Sequence, residues 1–104
     1  MALFVAGLSH RNALVALREQ LAIDEDKLRE LLRDIAATGV VREVLILSTC
    51  NRVEVYVVAD MPGEARAATF RQLCRHRGVE LSSVEPIIYT HAEGEAIRHT
   101  FRVA

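Results

Sequence analysis

Val44-Leu45-Ile46-Leu47 is a continuous apolar run, and beyond a short polar break, Ser48-Thr49-Cys50-Asn51, the pattern changes to alternation. Val53, Val55 and Val57 fall to one side, with Glu54 and Tyr56 to the other. A continuous run predicts a strand covered on both faces, whereas alternation predicts a strand with one face in the core. Two strands so close in sequence predict a hairpin or tight connection. The rest of the chain must fold around that pair.

At 104 residues the chain is one domain's worth, and 51% hydrophobic with 26% charged residues is globular composition, which excludes a disordered tail. Thirteen basic against fourteen acidic residues leave a net charge of -1. No global field captures nucleic acid or an anionic membrane, although a local basic patch stays open. No apolar run approaches a bilayer-spanning length, and the apolar residues 1–8 lack the basic flank and the length of a secretory signal. The two cysteines form no disulfide framework. These features predict a soluble, cytoplasmic domain with no membrane partner.

Residues 3–8 read as a short buried strand and residues 14–22 as a short helix. Asp24 reads as an N-cap, with Glu25 and Asp26 in the first turn, where the helix dipole favours acids. Leu28, Leu31, Leu32 and Ile35 make one apolar stripe that stops at Gly39. Met61-Pro62-Gly63 predicts a turn, and residues 64–77 a helix with Ala67, Phe70 and Cys74 inside, ended by Gly78. Residues 86–90 predict a fourth strand. Residues 93–104 are helical by pattern, with Ala96, Ile97, Phe101 and Ala104 on one stripe. That last pattern is uncapped at its end, so the chain reads as the N-terminal piece of something longer. The element order β-α-β-β-α-β-α predicts an α+β fold, a split β-α-β (ferredoxin-like) sandwich. Its antiparallel sheet carries helices on one face, and a C-terminal helix runs on past the fragment.

Cys50 is the residue that departs from a purely structural reading. Cys74 sits on an apolar stripe, but Cys50 sits at a strand end among Ser48, Thr49, Asn51 and Arg52. A guanidinium near a thiol raises its thiolate fraction, and Arg52 leaves an extended backbone on the same side as Cys50. The residues alone allow either a nucleophilic thiol or an inert turn cysteine. His99 is the second candidate; a helical wheel places it off the apolar stripe, towards Glu95 and Arg102, so it reads as a site residue or a solvated one. His10, His76 and His91 show no metal-ligand spacing with the cysteines, which predicts no metal site. Arg71, Arg75, His76 and Arg77 crowd one helix end, primarily a solvated face suited to the helix C-terminus and secondarily a phosphate contact. No glycine-rich dinucleotide loop or P-loop is present.

Two stretches, Gly7-Leu8-Ser9-His10-Arg11-Asn12-Ala13 followed by Arg18-Glu19, and Leu47-Ser48-Thr49-Cys50-Asn51-Arg52-Val53-Glu54-Val55-Tyr56, resemble the glutamyl-tRNA reductases of tetrapyrrole biosynthesis. The closing Ile97-Arg98-His99-Thr100-Phe101-Arg102-Val103-Ala104 is similar to a further segment of that family, and Leu14 departs from it where proline is expected. The resemblance implies that residues 1–104 are an N-terminal catalytic domain that binds glutamyl-tRNA(Glu). It implies NADPH-dependent reduction to glutamate 1-semialdehyde through a thioester on Cys50. Thr49, Cys50, Asn51 and Arg52 would form the glutamate pocket, with Arg52 on the side-chain carboxylate. His99 would polarise the carbonyl or handle the leaving-group proton. NADPH-binding and dimerisation domains would lie beyond residue 104, making the full-length protein a homodimer, with glutamate-1-semialdehyde aminomutase as a partner. The rival readings are a non-catalytic ferredoxin-like binding module and a redox-sensing thiol domain.

Overall fold

The hairpin forms as the pattern predicts. β2 (Glu43–Ser48) and β3 (Arg52–Ala59) pair antiparallel in the computed structural model, which describes residues 2–9, 15–49 and 51–103, with backbone alone at 15 and 100–103. The Thr49 N–H donates to the Arg52 carbonyl at 2.9 Å, and Thr49 Oγ1 accepts from the backbone N–H groups of Asn51 and Arg52 at 3.2 and 3.3 Å. One threonine therefore ties the turn from both of its polar ends. β1 (Ala2–Ser9) pairs antiparallel with the other side of β3, and β4 (Tyr89–Ala92) with β1. The four-stranded order is β2-β3-β1-β4. β3 separates β1 from β2, and β1 separates β3 from β4, so each β-α-β unit is split by a strand of the other. The fold is α+β.

The helices follow their local signals. Asp24 caps α2 (Glu25–Ala37) by accepting from the Lys27 N–H at 3.3 Å, and Leu31 and Ile35 are fully buried. The short α1 (Val15–Leu21) precedes it. α3 (Pro62–Arg77) starts on a proline, whose missing N–H is harmless there, and stops at Gly78 with φ of 66°. These helices cover one face of the sheet, where Phe4, Ala6, Leu8, Val53, Val55 and Val57 meet Leu31, Ile35, Phe70 and Leu73. Burying each of the large side chains there stabilises the fold by about 1.5–3 kcal/mol. Ala67, expected inside, is exposed, because the buried arc of α3 centres on Thr69 and Leu73 and Ala67 falls just past its edge.

Three further expectations are revised. The 44–47 run is not covered on both faces: Leu45 is 62% exposed, because the helix on its face packs over β4 and β1, at the other end of the sheet from β2. Pro86 does not begin a strand. It lies in a 3-10 turn (Glu85–Ile87) after the single-turn α4 (Leu81–Val84), and the ladder starts only at Tyr89, where every residue has an N–H to offer. The chain then turns at Glu93, whose φ is 52° and whose N–H donates to the Leu3 carbonyl at 3.0 Å. α5 (Gly94–Val103) packs on β4 and β1 from the face opposite the other helices. It seats Ala96, fully buried, while Ile97, expected on the inner stripe, is 51% exposed. Among the described residues no helix is long and apolar enough to cross a membrane.

Candidate active site

A fully buried carboxyl group organises the face that α5 covers. Alternation along β3 places Arg52, Glu54 and Tyr56 on the side away from the valines. Across the sheet Leu47, Glu54, Gly7 and Tyr89 stand in one row. Gly7 carries no side chain, so Tyr89 reaches over β1 to Glu54. Glu54 Oε2 accepts from the Tyr89 hydroxyl, and Oε1 accepts from the Tyr56 hydroxyl at 3.0 Å. His99 Nε2, from α5, lies 2.5 Å from Oε2, and Arg52 Nη1 lies 3.8 Å from Oε1. Burying a carboxyl group costs several kcal/mol unless donors replace its water, and here side chains from β3, β4 and α5 do so.

The surroundings hold those donors in their donating forms. Burial, then the hydrogen bond to Glu54, pushes the Tyr56 hydroxyl up to about 12, and the same causes raise Tyr89 further. Both remain protonated donors at neutral pH. The His99 ring is fixed from two directions. Its Nε2 meets Glu54, and its face stacks on His91 with centroids 4.6 Å apart and planes 28° apart. Tyr89 packs at a tilt against both imidazoles, at 5.5 Å from His91 and 5.7 Å from His99. The His99 side chain is only 15% exposed. The expected position beside Glu95, off the inner face, is therefore corrected: α5 turns its Ala96–His99 edge to the sheet.

Of the pocket residues expected from sequence, Thr49 and Asn51 sit in the exposed turn, and Arg52 opens β3 with its side chain 22% exposed. Cys50, between them in sequence, lies outside the described residues, as do residues 10–13 of the first resembling stretch, the departing Leu14, and Ala104. Arg52 and His99 are brought together on Glu54. Cys74 is buried on the core side of α3, as its stripe predicts, and burial, with the Glu85 carboxylate second, pushes its thiol up. His76 Nε2 meets Asp34 Oδ2 at 2.7 Å, tying α3 to α2. Among the described residues no group of three or more His, Cys, Asp or Glu side chains could hold a metal ion.

Glu54, Tyr89 and His91 were not singled out from the sequence. Alternation does place Glu54 opposite the valines, but only the Gly7 pairing and the return of α5 bury that side. A glutamate at the centre of a valine-rich strand was the available signal.

Residues 6–104 match the family described as glutamyl-tRNAGlu reductase, N-terminal domain. The chain is 43% identical over 104 residues to the glutamyl-tRNA reductase of Magnetococcus marinus, covering 100% of this chain and 25% of that protein. It is 42% identical to that of Syntrophotalea carbinolica, covering 100% of this chain and 24% of that protein. The chain thus spans about a quarter of the length of these relatives. Its fold is similar to that of the glutamyl-tRNA reductase of Methanopyrus kandleri, with a TM-score of 0.65 at 22% identity, over 97% of this chain and 21% of that one.

Proposed function

The chain belongs to the glutamyl-tRNAGlu reductase N-terminal-domain family, and from that premise we propose that it is the thioester-forming domain of a cytoplasmic reductase acting on glutamyl-tRNA(Glu). The Cys50 thiolate attacks the α-carbonyl of the esterified glutamate. The carbon–oxygen bond to the tRNA 3′ end breaks, a proton goes to the departing oxygen, and glutamate stays on sulfur as a thioester. Arg52 binds the glutamate side-chain carboxylate, with Thr49 and Asn51 completing the pocket around it. Glu54 steadies Arg52 and the His99 ring together. The His99 nitrogen turned away from Glu54 polarises the carbonyl or supplies the leaving-group proton. The observation that carries this reading is the buried Glu54, which gathers Arg52 and His99 next to the turn that contains position 50.

NADPH, the reductant this reaction would use, does not fit the described residues. The sheet is wholly antiparallel, so it has no switch point between parallel strands, and no glycine-rich strand-to-helix turn is there to cradle a pyrophosphate. In this reading residues 1–104 form the catalytic domain. The nucleotide-binding and dimerisation domains of a homodimer, and any docking of the aminomutase that takes up the semialdehyde, lie in the remaining three quarters of proteins of this family.

The test is acid-quenched mass spectrometry of the full-length protein after brief exposure to glutamyl-tRNA without NADPH. A glutamyl adduct on Cys50 that hydroxylamine removes is expected. An adduct on Cys74, or none while tRNA is still discharged, overturns the reading. A redox-sensing thiol would be alkylated at Cys50 yet take no glutamate.

A further inference from the structure

α3 presents Arg71 and Arg75 four residues apart, hence on one face and about 6 Å apart. Both are exposed, and among the described residues no hydrogen bond or ion pair engages either guanidinium. The other basic side chains along α3 are already partnered. Arg66 bonds Glu85 at 2.7 Å, His76 meets Asp34, and Arg77 Nε donates to the Gln20 carbonyl at 3.0 Å. The negative end of the helix dipole accounts for basic residues in the last turn, but it does not account for Arg71, more than a turn earlier.

Arg71 and Arg75 line an open cleft of about 360 Å³ that continues past Gly78 to Leu81. A second cleft, of about 320 Å³, lies across Gly78 and is lined by Arg77 and Gln20. Glu80 lines both, and Glu64 shares a further cleft with Arg71; these are the acidic groups an anion would have to avoid.

Topology brings these clefts to the end of the sheet that carries the hairpin turn. β3 starts at Arg52 and runs away from the turn; α3 runs back and ends beside α1, where Arg77 holds Gln20. The segment leaving α1 is tied to the last residue of β2 by the Ile23 N–H donating to Ser48 Oγ at 3.3 Å.

We propose that Arg71 and Arg75 form a phosphate-binding track that seats the sugar–phosphate backbone of the tRNA while its aminoacyl end reaches the turn. This deepens, and rests on, the reading of glutamyl-tRNA as substrate. A chain with net charge -1 has no long-range attraction for RNA, so such a grip has to be local. Unpaired arginines at this spacing supply it without reading sequence.

The test is binding of deacylated tRNA(Glu) to the full-length protein across a salt series. Each lost phosphate contact lowers the slope of log affinity against log salt by about 0.7–0.9. The double variant Arg71→Gln/Arg75→Gln should therefore flatten the slope by about 1.5 and weaken binding at least tenfold at low salt. Arg71→Lys/Arg75→Lys should restore most of the slope, and Glu80→Gln should tighten binding. Arg42→Gln, at the opposite end of β3 where the Arg42 N–H bonds the Val58 carbonyl, should leave the slope unchanged. An unaltered slope in the double glutamine variant, with normal melting, overturns the track and leaves the thioester chemistry standing. Absence of tRNA binding by the unmutated protein overturns the substrate reading and the track together.

Discussion

Gly7 stands directly opposite Glu54, and a Cβ built on Gly7 would lie 2.1 Å from the Val53 carbonyl oxygen and 2.8 Å from Glu54 Cα. That empty position is what lets β1 and β3 close up and lets Tyr89 bond Glu54 across the intervening strand. The clash is with backbone, which cannot swing aside. Gly7→Ala should cost about 3 kcal/mol in urea denaturation, and the tyrosine near-ultraviolet circular dichroism should change. A variant as stable as the parent would show that the strands tolerate separation here.

The protein's two tyrosines both donate to Glu54, so tyrosinate absorbance reports on the site. Tyr56 should ionise at about 12, later than the 10.0 of an unperturbed tyrosine. A raised acid holds its proton more tightly folded than unfolded. Its contribution to stability is full below the unfolded value and is lost as pH rises through the folded one. Unfolding should therefore become easier between about pH 10 and pH 12. Glu54→Gln removes the carboxylate charge that adds to the shift but neither burial nor an acceptor oxygen, so Tyr56 should move only part of the way back.

Cys74 should behave as a packing residue. It is 3% exposed and its thiol is pushed up by burial, so a mild alkylating reagent should leave it unmodified while the protein is folded. Cys74→Ser should lower stability without altering the rate of thioester formation. Rapid labelling of Cys74 at neutral pH would contradict its place in the core.

The α2 cap and the α2 core face should separate cleanly by size of effect. Asp24→Ala removes the acceptor of the Lys27 N–H and should cost about 1 kcal/mol. Leu31→Ala empties a fully buried position and should cost about 3 kcal/mol. Equal losses in chemical denaturation would mean that α2 is not held by its buried stripe.

Much of this architecture was legible residue by residue. The hairpin, the Asp24 cap, the Leu31 and Ile35 stripe, the Gly78 stop and the inward valines of β3 depend on periodicity and local backbone preference, which a few neighbouring residues settle. The motif around Cys50 carried the family in the same way. What lay beyond reach of the sequence depends on contacts between distant segments. The open face at Leu45 follows from β2 lying at the far end of the sheet from α5, and that order is decided by which strands pair. Pro86 looked strand-like until the ladder set its own start. His99 turned inward because α5 folds back on the face that Gly7 leaves open, where Glu54 supplies a hydrogen bond that no apolar stripe could foretell. Burial of Glu54 needed β1, β3, β4 and α5 in place together, and a charge pattern along one strand does not reveal that, because solvation is a property of the assembled fold.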